Sequence, residues 1–109
     1  MNTNRNQVIA TEIKQQLGWQ CLFLLGAKNF IGDEVEKDGR RRPYLGFKIK
    51  GSPAANYIRV ILDEGSDTYM VDFLKITATK IETVAEYTEI HCGDLHKLIS
   101  EQTGLATKF

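Results

Sequence analysis

The sequence predicts an α+β fold: an N-terminal helix, a four- to five-stranded antiparallel meander and a C-terminal helix, with both helices packed on one sheet face. Three observations carry this. Near the N-terminus Ile9, Ile13 and Leu17 recur at every fourth position, the spacing of one helix face. From Leu45 to Ile76 apolar and polar residues alternate in runs, as they do in half-buried strands. The runs are joined by short turn-forming segments, which suit neighbouring antiparallel strands and leave one apolar face for helices to cover.

Asn6–Leu17 is the first helix, with Val8 widening its apolar stripe and Gly18 placed to end it in a left-handed conformation. Trp19–Leu25 is a dense aromatic and aliphatic run ending at Gly26, and is expected to be a buried strand. Ile31–Arg42 turns to charge and glycine, and Asp38-Gly39 marks the tip of a long hairpin. Leu45, Phe47 and Ile49 form one face of the next strand. In Tyr57–Asp63, Ile58, Val60 and Leu62 face the core, opposite Tyr57, Arg59 and Ile61. In Thr68–Ile76, Tyr69, Val71 and Phe73 oppose Met70, Asp72 and Leu74, and Asp72 is expected to face solvent. Lys80–Tyr87 is a weaker strand, and Asp94–Thr103 is a helix with Leu95, Leu98 and Ile99 on its apolar face and Gly104 at its end.

The chain has 109 residues, enough for a single domain spanning 1–109 but not for two cores. Fourteen basic and fourteen acidic residues cancel, so no whole-molecule field draws in nucleic acid or an anionic membrane. The apolar run Cys21–Leu25 is far shorter than a membrane span, and the polar start Met1–Asn6 has no apolar signal core. Cys21 and Cys92 lack CxxC spacing and fit reduced thiols. A cytoplasmic location is expected.

Three groups of residues stand out as binding candidates. Arg40, Arg41 and Arg42, with Lys48, Lys50 and Arg59 at polar strand positions, form a basic ribbon suited to phosphates. Asp33, Glu34, Glu36 and Asp38 lie on the opposing arm and are placed to neutralise it. Tyr57 shares the face of Arg59 and is the better of the sheet aromatics for stacking on a base. The third group is Lys28 and Asn29 in Gly26-Ala27-Lys28-Asn29-Phe30, with Ser52 and Asn56 in Lys50–Asn56. Here glycine allows close approach, lysine supplies charge, and Ser and Asn bond ligand or backbone. Both segments lack the GK[ST] ending of a phosphate loop, and turn chemistry is the favoured account of them.

His91, Cys92, Asp94 and His96 suggest a metal, but the two histidines are five apart, where one helix face needs three or four. No nucleophile, base and orienting group come together in the sequence. The expectation is therefore a protein that is not an enzyme, with no catalytic, metal or cofactor set.

Four segments carry a family likeness: Gly26-Ala27-Lys28-Asn29-Phe30, Lys50-Gly51-Ser52-Pro53-Ala54-Ala55-Asn56-Tyr57, Asp67-Thr68-Tyr69 with Asp72-Phe73-Leu74-Lys75-Ile76, and Thr103-Gly104-Leu105. Together the segments resemble small single-domain accessory proteins of bacteriophages and other mobile elements. The acidic arm and arginine cluster look like an insertion against that pattern. The resemblance implies a non-enzymatic protein that binds a host or phage macromolecule, as a defence-system inhibitor would, and it transfers no catalytic residue. Two alternatives stand beside it, a nucleic-acid-binding module built on the basic hairpin and sheet face, and a small-molecule or nucleotide-binding protein. A host or phage protein is the expected partner, nucleic acid the next, with no membrane and with pairing into a homodimer left open by the sheet edge.

Overall fold

Five strands lie side by side in chain order in one antiparallel sheet in the computed structural model of the chain. The structure describes residues 3–108, with side chains from Arg5 onward, so the first two residues of the polar start lie outside what it describes. Helix α1 spans Thr3–Leu24, and the strands are β1 (Lys28–Lys37), β2 (Arg40–Lys48), β3 (Tyr57–Asp63), β4 (Thr68–Ile76) and β5 (Ile81–Ile90). A short 3-10 turn at Cys92–Asp94 leads into helix α2 (Leu95–Thr103). The predicted α+β meander with a helix at each end is what the chain forms.

The turns follow from their residues. Asp38 and Gly39 both take positive φ, 53° and 77°, as a two-residue hairpin turn with the twist of its strands requires. Gly104, at φ 74°, ends α2 and donates its N–H to the Ser100 carbonyl at 2.9 Å. One face of the sheet carries the main core. Leu45, Phe47, Ile58, Val60, Val71 and Phe73 meet Ile9, Ile13, Leu17 and Cys21 from α1 and Leu95 and Ile99 from α2. Burial pushes the Cys21 thiol up to about 11, so it stays protonated at neutral pH, whereas Cys92 is exposed and both are free.

Trp19–Leu25 is not a strand. The helix breaks at Gly18, with φ 81° and ψ 157°, and then resumes to Leu24. That backbone region is open essentially only to glycine. A break in a helix frees carbonyls, and α2 satisfies one of them: His96 Nε2 donates to the Leu17 carbonyl at 2.6 Å. The two helices are thereby tied at the kink. The apolar spacing of four in fact runs through it, since Leu17, Cys21 and Leu25 are all buried. Trp19 and Phe23 fall on the opposite side and are largely exposed.

Asp72 does not face solvent either; it is 1% exposed. Lys37, at the far end of β1, bonds Asp72 in β4 at 3.0 Å and Glu86 in β5 at 2.8 Å. The sheet therefore curls enough for a lysine at the end of its first strand to reach the fourth and fifth. Arg59 Nη2 donates to Asp72 Oδ2 at 3.1 Å, an oxygen that Lys37 also approaches to 2.8 Å, so one buried carboxylate holds two cations. Ile61, Met70 and Leu74 are buried on this same second face.

This cluster gives stability a pH dependence with a definite sign. The hydrogen bond and charge of Lys37 hold the Glu86 carboxyl below its ordinary 4.5. Burial alone would lower the Lys37 ammonium, but its bonds to Asp72 and Glu86 outweigh that and raise it above 10.5. The Glu86 contribution is present above the ordinary carboxylate value and is lost as pH falls through the lowered one. The Lys37 contribution is full below 10.5 and is lost as pH rises through the raised value. Urea midpoints measured across pH are expected to fall at both extremes, and to fall less steeply in Lys37→Met. Identical profiles for the two proteins would show that the cluster is not linked to folding.

Candidate functional site: a lysine-rimmed pocket

The two segments singled out by their glycines and lysines meet in space. After Leu24 the chain turns directly into β1, with Gly26 N–H on the Phe23 carbonyl at 3.0 Å and Ala27 N–H on Leu22 at 2.9 Å. Lys50 N–H then donates to the Leu25 carbonyl at 2.9 Å. The approach is close enough that a Cβ on Gly26 would lie 3.1 Å from the Lys50 Cβ. Lys28 pairs directly with Lys48 across β1 and β2, and Lys48 with Tyr57 across β2 and β3. Directly paired residues bring their side chains together, so the ladder itself draws the cations to one place.

The result is a cavity of about 330 Å³ rimmed by Lys28, Lys48 and Lys50, with Ile49, Ile76, Tyr57 and Asn56 completing its lining. No carboxylate of the described residues lines it. The three lysines are solvent-exposed and make no ion pair among the described residues. Burial pushes the Tyr57 phenol above its ordinary value; Tyr44 adds to this and Arg59 opposes it. The Tyr57 hydroxyl lies over Gly46, where a side chain would collide with it.

The other candidates have structural work. Asn56 Nδ2 donates to the Ile76 carbonyl and its Oδ1 accepts the Ile76 N–H, both at 2.8 Å, so its amide serves as a backbone partner beyond the end of β3. Ser52 Oγ donates to the Thr103 carbonyl at 2.8 Å and accepts the Ala54 N–H at 3.2 Å, fastening the loop to the end of α2. Asn29 is exposed and outside the lining, at φ 56° in the irregular stretch of the ladder between Lys28 and Ile31.

The arginine ribbon is largely neutralised. Arg41 pairs with Glu34 at 3.3 Å, as the opposing acidic arm predicts. Arg42 goes instead to Asp63 at 2.8 Å, and Arg59 to Asp72. A larger hollow of about 470 Å³ lies beside Arg40, Arg41 and Arg42, but its rim includes Glu64, which is itself paired with Arg5. Of the three arginines only Arg40 has no ion pair among the described residues, against all three lysines at the smaller pocket, and charge rather than size decides between them.

Among the described residues no group of three His, Cys, Asp or Glu is placed to hold a metal. Nor is any described helix long and apolar enough to cross a membrane. The chain matches no family model, no curated protein and no solved structure, so the likeness to phage accessory proteins rests on its four segments alone.

Proposed function

We propose that this chain acts by binding, and that it binds a phosphate-bearing small molecule in the pocket of Lys28, Lys48 and Lys50. The single observation behind this is three uncompensated cations around one concavity with an apolar floor. Like charges held together cost stability unless something of opposite sign joins them. A volume of about 330 Å³ is at the small end of ligand pockets, which favours a compact anion over a polymer. The nucleic-acid reading loses support because Arg41, Arg42 and Arg59, central to its ribbon, are each paired with a carboxylate. A binder of this kind also suits the accessory role that the phage resemblance implies, whether the phosphate belongs to a free metabolite or reports on a host process.

Thermal unfolding in the presence of phosphorylated compounds tests the reading. A ligand at a hundred times its Kd should add about 2.7 kcal/mol of stability. In a domain near this size that amounts to about 4–8 °C in Tm for each kcal/mol. Lys28→Gln with Lys50→Gln should unfold at the same or a slightly higher temperature without ligand, since repulsion is relieved, and should lose most of the response. An equal response in the double variant would place the ligand elsewhere.

A further inference from the structure

We infer that the pocket recognises its ligand by number of charges and not by base, which makes the ligand class a di- or triphosphate, free or carried on any nucleoside. This rests on the anion-binding reading above and goes further in naming what is and is not read. Three cations surround the hollow. A monophosphate carries about −1.5 to −2 charges at neutral pH and leaves part of that field unmatched. A diphosphate or triphosphate group matches it. The cations form a short row, because Lys28 and Lys48 are direct partners on adjacent strands and Lys50 lies two residues further along the chain. Such an arrangement suits a row of phosphoryl groups better than one.

The second half of the inference comes from what the lining lacks. Discriminating adenine or cytosine from guanine or uracil requires acceptors and donors set against the base edge. Lysine offers donors only. Two lining groups can both donate and accept: the Asn56 amide is spent at both ends on Ile76, and the Tyr57 hydroxyl is packed against Gly46. The nearby backbone donors are likewise occupied: Ile49 N–H is on the Asn56 carbonyl, Asn56 N–H on Leu74, and Lys50 N–H on Leu25. Ile49 and Ile76 present hydrocarbon. A base entering this pocket meets an apolar floor that treats all four alike.

The experiment is isothermal titration of the whole chain with orthophosphate, pyrophosphate, tripolyphosphate, adenosine, ATP, GTP, CTP and UTP, at low and moderate salt. Affinity is expected to rise about two- to fivefold with each added charge, the size of one exposed ion pair. The four nucleoside triphosphates should agree within about threefold, well short of the tenfold or more that a single base-reading contact produces. Adenosine should give no heat, and binding should weaken as salt rises. Selectivity among the four bases above about tenfold, or orthophosphate binding as tightly as tripolyphosphate, overturns the inference while leaving an anion pocket standing. Failure of every phosphate compound to bind at low salt removes the anion-binding reading itself. Lys48→Gln should flatten the rise with charge, and an unchanged rise counts against the inference.

Discussion

Asp72→Ala is expected to destabilise the protein by about 3 kcal/mol, near the lower end of the 3–5 kcal/mol seen when one member of a buried ion pair is removed. Asp72 is 1% exposed and joins Lys37 from β1 to Arg59 from β3. Without it, both cations remain in place with much less opposite charge to answer them. The lower end applies because Lys37 and Arg59 keep 17% and 25% of their side chains in water, and because Lys37 retains Glu86. Arg59 has less to fall back on, since its Nε is already buried without a hydrogen-bond partner. Asp72→Asn keeps the shape and should lose less. Replacing all three at once, with Lys37→Met, Arg59→Met and Asp72→Leu, should recover most of the loss, because an apolar set of similar volume avoids the desolvation cost. Urea unfolding of the three proteins checks the order. A loss under about 1 kcal/mol in Asp72→Ala would mean that the cluster behaves as a surface pair.

What the sequence shows and hides about this cluster is instructive. Alternation along β3 and β4 correctly places Arg59 and Asp72 on the face away from Val60 and Val71. Periodicity assigns a residue to a face but does not say whether that face is covered. The curl of the sheet decides that, and it depends on Lys37 reaching two strands that are distant in sequence. The same limit explains α1. Gly18 is a sound stop signal by local rules, yet the helix resumes beyond it, and His96, seventy-nine residues after Leu17, takes the Leu17 carbonyl that the break frees. The buried series Ile9, Ile13, Leu17, Cys21 and Leu25 was the available sign that helical spacing continues.

The pocket is legible to a different degree. Counting the ladder outward from Asp38-Gly39 sets Gly32 against Leu45 and Ile31 against Gly46, as observed. Continued to Lys28, the same count gives Ile49, one residue from the true partner Lys48. The irregularity between Lys28 and Ile31, with Asn29 at positive φ inside it, makes the difference. The lysines could thus be placed near one another from sequence, but not around a shared hollow. Turn chemistry foretells the bond of Ser52 to Ala54, but the longer reach of Asn56 to Ile76 and of Ser52 to Thr103 was hidden, because those partners lie in elements formed later in the chain.

Gly32→Ala is expected to cost about 1–3 kcal/mol, the usual range for overpacking a filled contact, and Gly32→Val more. The reason is the closeness of α1 to β1 at this point. A Cβ on Gly32 would lie 2.7 Å from the Cβ of Ala10, well inside the roughly 3.5–4.0 Å at which carbon atoms attract. Both terminal atoms of the Gln7 side chain stand at 3.3 Å, and Gln7 Nε2 donates to the Gly32 carbonyl at 2.9 Å. Rotation of a side chain cannot relieve this, because neither Cβ can move without its backbone. The helix must lift, and Ile9, Ile13 and Leu17 lift with it from Phe47 and Val60. The strain is local and can be removed from the other side. Ala10→Gly alone should cost about 1 kcal/mol through lost helix propensity. Combined with Gly32→Ala it should cost less than the sum of the two single changes, by about 1 kcal/mol or more, as neighbours that share a contact do. Thermal unfolding of the four proteins in the cycle gives the coupling directly. Strict additivity would show that α1 does not rest on β1 at Gly32, and that its seat on the sheet is set by the apolar stripe alone.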